Sequence, residues 1–350
     1  MLYEAEDVLV DTNDVDLIHL EPGSGFRWRN WLHKRLVYRD PTDKLVHINP
    51  GLQPVRLARD YDLFLAVFQS HQDFANINAI DGWKDRCKTS VCWIDEIWAA
   101  LITKRYRHWL GMLSKFDHVI VGSTSRSALS EAIGQSCNWV PMGVDTLRFC
   151  PFPNPAERVI DVFSMGRSPG AIHQALRRLG ANKEIFYLHE TSAAATSLVY
   201  DYRQHRDMLS NLAQRSRYFV VSPSKLNTPD DTEEQITFGP RYYEGASAGA
   251  LLIGQAPNLA TFRKMFDWPN AVIEISPDGS DVADVLHDLE TDPQQIQKIR
   301  QRNVVETLLR HDWLYRWLNI FQIAGIKPSS GMAARQKKLQ ERASLVSKGC

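Results

Sequence analysis

The sequence predicts an α/β protein built from two Rossmann-like, doubly wound domains facing a central cleft. Three observations lead there. Short apolar runs alternate with segments of helical periodicity, a proline-rich interruption splits the chain near its middle, and a second strand–helix series begins directly after it. The length agrees, since 350 residues correspond to about two domains.

In the first series the strand candidates are VDLIHLEP (15–22), KLVHINP (44–50), YDLFLAVFQS (61–70), TSVCWID (89–95), DHVIVGSTS (117–125) and CNWVPMG (137–143). EIWAALITKRYRHWLGMLSKF, between the fourth and fifth, carries apolar residues at helical spacing. SRSALSEAIGQ follows the fifth, with Ser125 or Ser127 available as N-cap. Strands separated by helices pair in parallel through right-handed crossovers. Residues 144–159 then place three prolines in five positions at 151–155, where neither a helix nor a central strand continues. The second series runs RVIDVFSMG (158–166), EIFYLHE (184–190), YFVVSPS (218–224) and NAVIEIS (270–276), with helices between. The expected division is 1–145, 146–320 and a helical, basic tail at 321–350.

Lys plus Arg and Asp plus Glu number 41 each, so no net field recruits nucleic acid or an anionic surface, although a local basic face remains open. Residues 1–10 are acidic and unlike a signal peptide. No run approaches the roughly 20 apolar residues that span a bilayer. Five cysteines without metal-type spacing fit a reduced, cytoplasmic protein. Ten tryptophans concentrate in the first half, where core packing and stacking on sugar are both open to them.

Ligands of open α/β sheets collect beyond the C-terminal strand ends. EPGSGF offers Gly23 and Gly25 there, either as an anion-approach loop or as a turn. Neither GxGxxG nor GxxxxGK[ST] occurs, which disfavours hydride transfer to a nicotinamide and ATP hydrolysis. VFSMGRSPG ends a strand with Gly166 and Arg167, and SPSKLN places Lys225 after another, so that fixed cations could face phosphate oxygens.

VPMGVDTLRFCPFP (140–153) resembles the interdomain hinge of GT-B glycosyltransferases of the family-4 type, P-x-G-V-D-x-x-x-F-x-P, through Pro141, Gly143, Val144, Asp145, Phe149 and Pro151. RYYEGASAGALLIG (241–254) resembles their donor-binding segment, in the version of the spore-maturation-like branch. The tail resembles theirs through His311, Trp313 and Arg316. The resemblance covers roughly 117–320. It implies a metal-independent, retaining glycosyltransferase of the hexosyltransferase type that uses a nucleotide-diphosphate sugar, UDP-linked by default, and no other cofactor. Glu244 would then accept the ribose hydroxyls. Ala246, Ser247, Ala248 and Gly249 would open a helix facing the diphosphate, Gly239 would allow close approach, and Arg241 and Tyr242 would line the donor site. The family's second glutamate, eight positions before Glu244, is Ile236 here, and no lysine follows Arg167 in its loop.

A departing diphosphate needs fixed cations, a task assigned to Arg167 with Lys225 or Arg241 assisting. On the acceptor side, His71 ends one strand and Asp95 and Glu96 end the next, placed to orient or deprotonate a hydroxyl. The acceptor is a glycan, a lipid or a small molecule, and no nucleic acid is expected as partner. The tail, with Arg335, Lys337, Lys338, Arg342 and Lys348, implies at most a weak peripheral contact with the inner membrane face, or a solvated end. Rival functions are a degenerate sugar-nucleotide-binding protein and an epimerase or phosphorylase of the same fold.

Overall fold

The computed structural model describes residues 2–166, 169–190, 199, 201–224 and 235–349. The first half carries β1 (Val55–Arg56), β2 (Tyr61–Phe68), β3 (Ile80–Asp81), β4 (Cys87–Ile94), β5 (His118–Val121) and β6 (Cys137–Trp139). The second carries β7 (Ile160–Ser164), β8 (Tyr187–His189), β9 (Ser216–Val221), β10 (Leu251–Gly254) and β11 (Ile273–Glu274). Among the described residues these form two larger sheets, ordered β2-β4-β5-β6 and β11-β10-β9-β7-β8, and a small β1-β3 pair, all parallel. The two Rossmann-like domains expected from the sequence are present.

Parallel strands are buried on both faces, and here the alternation of side chains assigns each face a separate core. In the second sheet Phe163, Phe219 and Leu252 point one way, and Val162, Tyr218, Val220 and Ile253 the other. In the first sheet Phe64, Phe68, Cys92, Ile94 and Val121 meet helices of their own half. The opposite face, with Val91, Trp93 and Ile120, is covered by the first and last helices of the chain, Leu2–Thr12, Trp313–Ile323 and Ser330–Ser347. Trp93 meets Trp313 and Trp317 edge-on at 5.7 and 6.0 Å.

The tail is therefore not a solvated end. Met332, Leu339, Ala343 and Val346 are buried on one side of its helix. Two of its basic residues serve packing: Arg335 pairs with Asp145 and Asp312, and Arg342 donates to the Phe152 carbonyl. The two segments of family resemblance also lock onto each other. Val144 N donates to the His311 carbonyl at 3.1 Å, Trp313 N returns to Val144 O at 3.2 Å, and Asp312 accepts from Thr146 N and Oγ1. A methyl on Gly143 would stand 3.1 Å from both His311 O and the Trp313 ring, which accounts for glycine there.

Three local expectations fail. Residues 15–22 form no strand beyond a bridge from Pro22 to Leu52, and 44–50 contain only the 3-10 turn Leu45–His47. The helix expected over 96–116 is broken into Ala99–Leu101, a π segment Ile102–Tyr106, Arg107–Leu110 and a 3-10 turn. Tyr106, Trp109 and Leu113 still reach the core, so the apolar period was real and only its regularity was not. Trp83, Trp93, Trp98 and Trp109 are core, whereas Trp28 and Trp31 are exposed.

Candidate functional site

In the second sheet β7 lies between β8 and β9, so the chain direction across the sheet reverses at β7/β9. Such a reversal opens a crevice beyond the strand ends, the usual ligand position in this architecture. Gly166, two residues past β7, adopts φ +81°, a left-handed turn that suits glycine. Its amide donates to Glu190 Oε2 at 3.0 Å, just past β8. A methyl group on Gly166 would stand 3.8 Å from Arg241 Nη2. Past β9, Ser224 N donates to Thr237 O at 2.8 Å, and a methyl on Gly239 would lie 3.2 Å from Ser224 Oγ. Gly166, Gly239 and Arg241 thus come together at the switch point. Arg167 and Lys225 lie outside the described residues.

Glu244 does not take the place expected of it. Its side chain has no exposed surface; Oε1 accepts from Arg206 Nη1 at 2.5 Å and Oε2 accepts from Arg241 Nη1. Burial pushes its pKa up, but Arg241 and Arg206 outweigh that and hold it at about 2. Both carboxylate oxygens are thus taken by guanidinium groups, in place of the ribose hydroxyls expected of them. The small residues Ala246, Ser247, Ala248 and Gly249 do not begin a helix either: Arg241–Ser247 is the helix, and Gly249, at φ +67°, turns the chain into β10. Tyr242 is buried with its hydroxyl on Gln255 O at 2.6 Å, and Ser247 is buried, so neither lines an opening.

Arg206 links this cluster to the first helix of the chain. Its Nε donates to Glu4 Oε2 at 2.7 Å, and Glu4 Oε1 accepts from Asp145 N and Trp313 Nε1. Nothing local in the sequence marks Arg206 or Glu4, because their partners are 38 to 309 positions away.

The segment 235–239 crosses from the second domain to the strand ends of the first. Gln235 Oε1 accepts from Ala99 N at 2.8 Å, and its Nε2 donates to Thr124 Oγ1 and Ser125 Oγ at 2.9 and 2.8 Å. Thr124 Oγ1 donates to Ile236 O at 3.1 Å. Ser125 is the N-cap residue of helix Arg126–Ile133, yet its hydroxyl serves Ile97 O instead of that helix.

On the same strand ends stand the acceptor-side candidates. Asp95 directly follows β4, and burial together with neighbouring Glu96 pushes its pKa up to about 7. Glu96 is exposed and accepts from Trp98 Nε1 at 2.6 Å. His71, three residues past the neighbouring β2, is buried: Tyr38 Oη lies 2.8 Å from its Nε2 and the Tyr106 ring 4.1 Å from its centroid. Gly23 and Gly25 form a turn, Gly23 N donating to Gly51 O at 3.0 Å, ahead of helix Phe26–Val37 and not after a strand, since 15–22 form none. Among the described residues no group of three or more His, Cys, Asp or Glu is placed to hold a metal ion.

Residues 171–322 match the model of a family described as glycosyl transferase-like. The matched stretch contains β8 to β11, Glu190, Arg206, Gln235, Arg241 and Glu244. No curated protein matches the chain. Three solved structures are similar. Anabaena HepE in complex with UDP has a TM-score of 0.47 and 12% identity, over 83% of this chain and 82% of that one. Accessory secretory protein 1, 2 and 3 of Streptococcus pneumoniae has 0.41 and 10%, over 85% and 57%. A UDP-N-acetylglucosamine 2-epimerase has 0.39 and 11%, over 86% and 79%.

Proposed function

We propose that this protein is a glycosyltransferase that moves a sugar from a nucleotide-diphosphate sugar to an acceptor hydroxyl without a metal ion. The glycosyl transferase-like match over residues 171–322 carries the reading. Arg241, partly exposed beside Gly166 at the switch point, takes the diphosphate, and the absence of a side chain on Gly166 leaves that guanidinium accessible. Glu244 acts through Arg241: a fully ionised, buried carboxylate fixes the guanidinium, so less ordering entropy is lost when the phosphate binds. Arg167 and Lys225 complete the cationic set, and UDP is the expected nucleotide. Asp95 or His71 orients or deprotonates the acceptor hydroxyl, with retention of the sugar's configuration.

The test is a thermal-shift and calorimetric series with UDP, GDP and CDP, followed by hydrolysis assays on the sugar nucleotides. At least one diphosphate stabilises the protein, and Arg241→Ala weakens its binding about tenfold, the effect of one charge-assisted hydrogen bond. Unchanged affinity in that variant sinks the placement of the site. A second reading, a sugar-nucleotide-binding protein without transfer, is favoured by Ile236 at the position of the missing glutamate, where it is 40% exposed. Binding without turnover of any donor decides for it.

A further inference from the structure

Helix Phe26–Val37 lies on the first domain with only His33 and Val37 fully buried. Its outer side presents Trp28 at 64% exposure and Trp31 at 49%, three positions apart and therefore on one face. Arg27, Arg29, Arg35 and Leu36 flank them, all exposed. From Pro22 through Arg39 the chain holds five Lys and Arg residues, Arg39 included, and no Asp or Glu. Among the described residues none of Arg27, Arg29 and Arg35 forms an ion pair; Arg35 lies over the Trp31 ring at 4.1 Å.

We infer that this helix docks flat on a bilayer containing anionic lipid. An outer helix with Trp28 largely exposed, Trp31 half exposed beneath the Arg35 guanidinium, and a cationic fringe without ion pairs matches that surface in charge and in polarity. Indole settles at headgroup depth, guanidinium groups remain in the phosphate layer, and the remainder of the protein, net acidic once these five cations are set apart from a balanced 41 and 41, is not drawn in. A glycan groove would need a concave wall and has no use for five like charges. Docking also has a direction. Tyr38 closes the helix, and its hydroxyl meets His71 beyond β2, so the seated helix sets the first domain's strand ends at a fixed height above the lipid.

Flotation with phosphatidylcholine vesicles, with and without phosphatidylglycerol, tests this on the full chain. Binding is expected only when the anionic lipid is present. Trp28→Ala with Trp31→Ala, and separately Arg27→Gln with Arg35→Gln, should each weaken it about tenfold or more. Both pairs are exposed, so the melting curve should not move, which separates lost docking from lost folding. The inference is overturned if wild type ignores both vesicle types, if it binds pure phosphatidylcholine equally, or if neither pair of substitutions has an effect. It is equally overturned if Lys337→Glu with Lys338→Glu alone abolishes binding, or if a duplex DNA or RNA competes the protein off the vesicles through the same arginines.

Discussion

Arg206 Nη1 donates to Glu244 Oε1 at 2.5 Å, with both side chains almost wholly removed from water. The same guanidinium holds Glu4, so one cation ties the first helix of the chain to the second domain. Glu244→Ala strands Arg206 with one partner and frees Arg241. A loss on the order of 3–5 kcal/mol in urea unfolding is expected. The wild-type contribution is present above the ordinary carboxyl value of 4.5 and fades as pH falls towards about 2. Glu244→Gln should flatten stability across that window.

Asp95 carries the opposite sign. Its folded-state pKa is raised, so the folded protein keeps the proton and stability falls as pH climbs from 3.8 to about 7, then levels. Asp95→Asn should match wild type near pH 4 and exceed it by about 1–3 kcal/mol at pH 8, read from paired melting curves. Equal stability at pH 8 would place Asp95 in water.

Arg335 reaches Asp312 at 2.8 Å and Asp145 at 2.7 Å, closing the hinge against the last helix. Arg335→Ala leaves two carboxylates facing each other and should cost about 3–5 kcal/mol. Arg335→Lys should recover less than half, since one ammonium cannot serve both acids in the plane of a guanidinium. Denaturant midpoints distinguish the two.

Gly254 has φ +134°, and a methyl there would sit 2.1 Å from Val221 O, inside the β9–β10 pairing. Gly254→Ala should abolish soluble expression. Gly134, also left-handed but with open space around it, should tolerate alanine for about 1 kcal/mol. Similar yields of both variants would contradict this strand register.

Gln235→Ala removes three hydrogen bonds across the seam. Stability should drop by about 1–3 kcal/mol, and the Ala99 amide should exchange its hydrogen faster. Unaltered exchange at Ala99 would show that the seam is held elsewhere.

The sheets were legible because their strands are continuous apolar runs, and buried parallel strands require that, as in β4 and β9. The Arg-Tyr-Tyr-Glu segment stood out as well, but its job did not: what Glu244 faces depends on Arg206, 38 positions away, which no window of sequence displays. Gln235 was hidden for the same reason. Glu190 could have been found, since EIFYLHE ends in it at a strand terminus. The first fifty residues misled because VDLIHL and KLVHI have strand composition without neighbouring strands to pair with. Trp28 and Trp31 show the limit of composition, which favours tryptophan as core and says nothing of a helix lying on the outside.

The closing of the first sheet by Trp313–Ile323 and Ser330–Ser347 sets an order on the chain's assembly. From Trp139, where that sheet ends, to Trp313, a ribosome must add 174 residues. At about 5–20 residues per second, the Trp93 and Ile120 face waits roughly 10–35 s with only the first helix available to cover it. The nascent first half is therefore a natural client for chaperones, and its release before the final helices emerge should lead to aggregates instead of a free-standing domain.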